Sequence, residues 1–429
     1  MDIYNLISFG GIFVLVGVAW LFSSHRRELN WRLVCSGIVL QLALALFIFK
    51  VPAGAKIFLW VNEAVIRMLD SATAGSRFLF GPLATPPGGD DSLGFILAFQ
   101  AFPTIIFFSA LIAVLYYLGI MQRVISGFAF CFSKLLRISG AESLVAASNI
   151  FVGVETALTI KPYLSRMTHS ELCTVLAVGM GTVASNVLAL YVFTLQEQFP
   201  LIAGHLVSAS LLSAPAALVM SKILLPETER SETLGVHVQP YYEKDSNLFA
   251  AIIQGSQGGV KMIVGISALL IAVLGLVALL DLALSSIGSL ISPKLEGALT
   301  LKALCGYLFY PLTLALGVPL EDARLVSQII GGRLIVTEVV AYQDLAAALA
   351  EGRIVHPRSA VITTYALCGF AHLASMAIFV GGVCALAPER TRDMGRVAVR
   401  ALAAATLACL MTACVAGTFF GSGSILLGE

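Results

Sequence analysis

Eight runs of apolar residues stand out along the chain, at 3–24, 33–49, 94–120, 172–195, 201–224, 260–283, 360–387 and 399–420. Each approaches the about 20 residues that a helix needs to cross the hydrocarbon of a bilayer. Two further segments are apolar but interrupted. Residues 143–166 hold Asn149, Gly153, Glu155, Lys161 and Pro162; residues 317–349 are broken by Gly331 and Gly332 and hold Arg333 and Glu338. Irregular backbone at membrane depth survives only where protein or a wet cavity satisfies its N–H and C=O groups. The pattern therefore predicts an all-α polytopic membrane fold with about eight transmembrane helices plus two re-entrant helical hairpins, each hairpin tip pointing at a buried site.

The two halves of the chain echo one another. Each presents a Gly-broken hairpin with one glutamate, then a long span with polar residues near its middle, GTVASNV (181–187) in one and CGFAHLAS (368–375) in the other. Inverted repeats with broken helices near the midplane mark the binding site of secondary transporters. An even number of spans puts both termini on one side. Placing the loops with His25, Arg26 and Arg27, with Arg123, Lys134 and Arg137, with Lys222 and Arg230, and with Arg390, Arg392 and Arg396 inside satisfies the positive-inside rule and leaves both termini periplasmic. Arg353 and Arg358 are the chief exceptions. The first hairpin then enters from the cytoplasm and the second from the periplasm.

Composition narrows the classes. Hydrophobic residues make up 58% and charged residues 12%, against about 25% charged in soluble chains, so lipid is the chief solvent. Lys+Arg 26 against Asp+Glu 25 offers no basic surface for nucleic acid. The start MDIYNL lacks the basic n-region of a cleaved signal peptide, so the first span is expected to stay. The eight cysteines show no CxxC pair and no Cys/His metal spacing and read as small buried hydrophobes. The polar stretch 226–247 is a loop or surface helix, and GSQGGVK (255–261) lacks the spacing of a phosphate-cradling loop.

Candidate chemistry lies in the interrupted segments. An intramembrane carboxylate costs several kcal/mol and is a functional hypothesis by default, which singles out Glu338 and Glu155. The bland alternatives are ion pairs with the nearby Arg333 and Lys161. His372 precedes Ser375 by three residues, one helical turn, close to Phe370; the alternative is a satisfied core histidine. Asn149, Thr182 and Asn186 can supply oxygens to a small cation, or else hydrogen-bond between helices.

The run AESLVAASNIFVGVETALTIKPYLSRMTHSEL (141–172) resembles the signature of concentrative nucleoside transporters. LLPETE (224–229), EVVAY (338–342), YALCGFAHLAS (365–375) and LAPER (386–390) match further blocks of that family in the same order. The resemblance implies that Glu155 lies near the nucleobase and Glu338 near the ribose hydroxyls. It also implies that Ser375 meets ribose, that Phe370 sits close to sugar and base, and that Val187 lines the pocket. A sodium site would use Asn149, the Val152 carbonyl and the Thr182 hydroxyl. The family further implies a homotrimer and an elevator-type movement. Three departures stand out: a shortened first hairpin in which Val154 precedes Glu155, Ala157 and Leu158 where the family has a proline, and His372 in place of a ribose-contacting asparagine.

These readings lead to a cation-coupled symporter of nucleosides into the cell across the inner membrane, using sodium or protons and needing no other cofactor. Another nucleoside-like or small polar solute is the alternative, and a membrane enzyme using Glu155 and Glu338 a more distant one. Its expected divisions are 1–125 (scaffold spans), 126–225 (first hairpin and two spans), 226–295 (cytoplasmic loop and a scaffold span) and 296–429 (interfacial helix, second hairpin and two spans).

Overall fold

The computed structural model describes residues 2–85, 91–153, 156–236, 238–242, 245–291 and 299–421, apart from the side chains of Asn186 and Ile291. Among them the regular structure is helical. The chain opens with α1 (Ile3–Leu21), α2 (Trp31–Lys50), α3 (Pro52–Phe80), α4 (Leu97–Gln100) and α5 (Phe102–Tyr117). The α2–α3 corner is tight: a Cβ on Gly54 would lie 1.9 Å from the Phe47 carbonyl oxygen, so only glycine fits. Charged residues Lys56, Glu63, Arg67, Asp70 and Arg77 along α3 set it apart from the apolar spans, and the apolar pattern does not mark it.

The same sequence of elements then occurs twice. An amphipathic helix α6 (Ile120–Leu136) leads into a hairpin of α7 (Gly140–Asn149) and α8 (Thr156–Thr159), a broken span α9 (His169–Gly181) and α10 (Ser185–Leu195), and an unbroken span α11 (Ile202–Leu224). After the long helix α12 (Leu248–Ile291) come α13 (Leu301–Ala315), the hairpin α14 (Leu320–Arg333) and α15 (Glu338–Ala350), the broken span α16 (Pro357–Ala366) and α17 (Leu373–Leu386), and the unbroken span α18 (Thr391–Phe419). Left-handed residues end the approach to each hairpin: Arg137 after α6 and Gly317 after α13. A capping box of Ser139 and Glu142 opens α7, while Pro319 precedes α14, whose first turn carries Glu321 and Asp322; both arrangements suit the positive end of a helix dipole.

Six helical stretches are long and apolar enough to cross a membrane. The two remaining expected spans, 172–195 and 360–387, are each split into two shorter helices, a correction to their reading as continuous spans. The unbroken helices α11 and α18 are almost wholly buried and pack on each other; α18 also packs on α1, α9 and α16. By contrast α12 packs mainly on α5, and little of its apolar length is buried. Not every cysteine is buried, as had been expected: Cys35 and Cys131 are exposed.

The start of α1 and the end of α18 meet at one face, where the Asn5 amide donates to the Phe420 carbonyl at 2.9 Å. Arg358, buried there, donates to the carbonyls of Tyr4, Gly317 and Gly417 and to Asn5 Oδ1 and Ser8 Oγ. It thereby ties α1, the α13–α14 turn, α16 and α18 together. At the opposite face the buried Lys222 lies 2.6 Å from Glu142 and 3.3 Å from Glu227 and bonds Ser170 Oγ, joining the root of the first hairpin to α9 and α11. The two hairpins thus enter from opposite faces.

The 226–247 stretch is an irregular strap in its described residues. Gly140 N–H donates to Thr233 O at 2.9 Å and Tyr241 N–H to Thr159 O at 2.9 Å, so the strap crosses both arms of the first hairpin. A Cβ on Gly140 would lie 2.1 Å from Val236 O; a glycine is what lets the strap lie down.

Candidate substrate and cation site

Glu338 opens α15, just past the turn of the second hairpin, and is buried. Thr337 caps the helix through Val340 N–H. The Tyr191 hydroxyl, from α10, donates to Glu338 Oε1 at 2.8 Å. His372 Nε2 lies 2.7 Å from Glu338 Oε2. Arg333, the expected structural partner, instead donates to the Ala366 carbonyl at 2.7 Å. The reason is the hairpin itself: Arg333 closes one arm and Glu338 begins the other, so five positions in sequence do not bring their side chains together.

His372 is the N-cap of α17, and its Nδ1 accepts the Ser375 N–H at 3.2 Å. An accepting Nδ1 assigns the ring proton of the neutral imidazole to Nε2. Nε2 also stands 2.5 Å from Ser375 Oγ, so its one N–H satisfies the serine oxygen and leaves the serine proton free to donate elsewhere. Glu338 Oε2 shares that N–H at 2.7 Å and keeps a lone pair to accept a further donor. An acceptor and a donor thus stand side by side, the pair that a hydroxyl group needs.

The surrounding elements fix this geometry. Leu373 N–H donates to Leu334 O at 3.1 Å, tying the broken span to the second hairpin, and His372 N–H donates to Phe370 O at 2.9 Å within the break. Phe370 is half-buried. Val187 is buried on α10 one turn before Tyr191, and therefore shares its face. Tyr191 stacks on Tyr342 at 4.6 Å. Tyr191 was missed by sequence reasoning; its only signal was the four-residue spacing from Val187.

The candidate cation residues fall around the first hairpin tip and the α9–α10 break. Asn149 ends α7; its amide donates to Val145 O, and its buried Oδ1 has no donor. Thr182 caps the end of α9 and donates to Val178 O. The Val152 carbonyl accepts the Thr156 hydroxyl at 3.3 Å. Ser210 on α11 joins the two regions, its hydroxyl lying 3.0 Å from Ile150 O and 3.4 Å from Val183 O. Nothing in the sequence distinguished Ser210 from its neighbouring serines. Glu155 and the Asn186 side chain lie outside the described residues. The structure therefore brings Glu338, His372 and Ser375 together, with Val187 and Phe370 on the elements beside them.

Comparison with known proteins agrees with this architecture. The family models match as "Na+ dependent nucleoside transporter N-terminus" over residues 10–83, "Nucleoside recognition" over 98–198 and "Na+ dependent nucleoside transporter C-terminus" over 205–417. Solute carrier family 28 member 3 of Mus musculus is 37% identical over 428 residues, covering 96% of this chain but 58% of that protein. The chain thus spans under two thirds of the length of that relative. An uncharacterized transporter of Haemophilus influenzae is 37% identical over 429 residues, covering 98% of this chain and 99% of its own. Among solved structures, CNTnw in an inward-facing substrate-bound state superposes with a TM-score of 0.87 at 35% identity, covering 97% of this chain and 98% of CNTnw. The all-α inverted-repeat fold is that of an elevator-type membrane transporter, not an enzyme. The chain belongs to the concentrative nucleoside transporter family.

Proposed function

We propose that this protein is a sodium-coupled symporter that carries nucleosides into the cell across the inner membrane, with both termini periplasmic and as a homotrimer. The observation that carries the nucleoside reading is the buried pairing of Glu338 Oε2, held 2.7 Å from His372 with a lone pair left to accept, with the free proton of Ser375. Together they suit a ribose hydroxyl, and Glu338 provides a charge-assisted bond, stronger than a neutral one. Val187 and Phe370 supply apolar and aromatic surface for sugar and base, and Glu155 is assigned to the base by family resemblance. In this reading α6–α11 and α13–α18, with α1 bonded to them through Arg358, move against a scaffold that includes α5 and α12.

Sodium is supported by the donorless Asn149 Oδ1 and by Ser210, whose bonds hold the Ile150 and Val183 carbonyls close together. Oxygen donors of this kind, with Thr182, Val152 and Asn186, suit a small hard cation. Proton coupling is the second reading, favoured by the 2.7 Å contact of His372 with Glu338. The test is accumulation of radiolabelled uridine or adenosine in proteoliposomes under an imposed sodium gradient at constant pH. Accumulation above the external level is expected. Uptake that follows only a pH gradient and collapses with protonophore would replace sodium by the proton, and no accumulation under either gradient would overturn the symporter reading.

A further inference from the structure

A chamber of about 470 Å³ lies away from Glu338, where α5, α12, the returning arm of the first hairpin and the strap meet. This is in the size range of small-molecule sites. Its wall includes Val152 at the hairpin tip, so it adjoins the cation region. Tyr242 of the strap stacks on Tyr116 of α5, with ring centres 5.3 Å apart and planes 22° from parallel. The Tyr242 hydroxyl donates to Asp245 Oδ2 at 3.2 Å. Burial, with Asp245 beside it, pushes the Tyr242 phenol up to about 12, so the ring stays uncharged. Gln254 of α12 adds an amide with both donor and acceptor, and Lys161 and Asp245 are the charged residues among the described lining.

We propose that this chamber is a second nucleoside-binding station on the cytoplasmic route, in which the base stacks on Tyr242 while Gln254 and Asp245 bond its polar edge. This rests on the nucleoside reading of the Glu338 site. Four features support it. A planar aromatic surface is offered beside polar groups, the pattern that captures bases without depending on their sequence of substituents. The opposite charges of Lys161 and Asp245 suit an uncharged ring compound better than a phosphorylated one. The walls come from both the proposed scaffold and the proposed moving body, so the chamber's shape follows their relative position. The strap that carries Tyr242 is also bonded to Thr159 of the hairpin, which couples the stacking surface to hairpin movement.

The test reads accessibility at the chamber itself. Ser109, which lines it on α5, is changed to cysteine, and maleimide labelling of that peptide is followed by mass spectrometry with and without uridine. The measurement is repeated with Glu338→Gln added, which cripples the first site. Protection by uridine is expected to persist in the Glu338→Gln background. Tyr242→Ala should raise the uridine concentration needed for half protection by roughly five- to a hundredfold, the range of one base–aromatic stack, whereas Tyr242→Phe should keep it near its starting value. Protection that vanishes with Glu338→Gln, or that survives Tyr242→Ala unchanged, overturns the second station and leaves the first intact. If the unaltered protein accumulates no nucleoside under any gradient, the nucleoside reading itself falls and this inference falls with it.

Discussion

Replacing Glu338 by glutamine isolates the charge from the shape of the site. Glutamine keeps the volume but has one acceptor oxygen where the carboxylate has two. The Tyr191 hydroxyl, 2.8 Å from Oε1, needs that oxygen, so the amide NH₂ turns toward His372 and Ser375. A donor then occupies the place where Oε2 now accepts, 2.7 Å from His372. A bond to a charged group contributes about 1.5 to 3 kcal/mol, and about 1.4 kcal/mol is a factor of ten. Nucleoside affinity should therefore fall about ten- to a hundredfold. Equilibrium binding of radiolabelled uridine to purified protein measures the loss, and size-exclusion profiles check that the variant still folds. A 2′,3′-dideoxynucleoside, lacking the partner hydroxyls, should bind the unaltered protein poorly, and Glu338→Gln should discriminate against it much less. Unchanged uridine affinity in the variant, or equal affinity of the unaltered protein for both ligands, would refute the assignment of Glu338 to the sugar.

Other residues give independent checks. His372→Asn keeps an N-cap oxygen for the Ser375 amide and restores the family's amide, so the substrate profile should shift toward ordinary nucleosides at unchanged expression; an identical competition profile would place the histidine outside the pocket. Ser210→Ala removes the hydroxyl between Ile150 O and Val183 O, and the sodium concentration for half-maximal uptake should rise about fivefold, as expected for one hydrogen bond of about 1 kcal/mol. Arg358→Lys can keep at most three of five bonds. It should lower stability by roughly 1 to 3 kcal/mol, seen as a lower Tm in detergent with uridine affinity little changed.

The membrane spans were legible because apolar length alone reports them. The breaks within two of them were not: Thr182–Ala184 and Leu367–Ala371 are small or apolar, and hydropathy does not register whether such residues are helical. The hairpins could be located because Asn149 and Glu338 interrupt the apolar pattern, but Gly331 and Gly332, read as the break of the second, lie inside α14, and the turn falls at 334–337. Partners across the fold stayed hidden. Tyr191 is 147 positions from Glu338, and no periodicity links residues on different helices. Arg333 misled for the opposite reason, since closeness in sequence suggested a contact that the hairpin turn prevents. His372 and Ser375 were read correctly as neighbours because their spacing is local, although the contact is a cap at the start of α17 and not a stripe along it.

The length of α12 ties the protein to the thickness of its bilayer. Its 44 residues span about 66 Å at 1.5 Å per residue, roughly twice the about 30 Å of hydrocarbon. Even tilted by about 40°, near the upper end for membrane helices, it would cover about 50 Å of depth, so part of it must stand in the headgroups or in water. The polar start of the helix, with Gln254, Ser256, Gln257 and Lys261, is the end suited to emerge. Thinner or thicker lipid would then change the lean of this helix, and with it the distance between Gln254 and the strap. A chamber walled by so long a helix would register membrane thickness as a change of shape, with no ligand touching the protein.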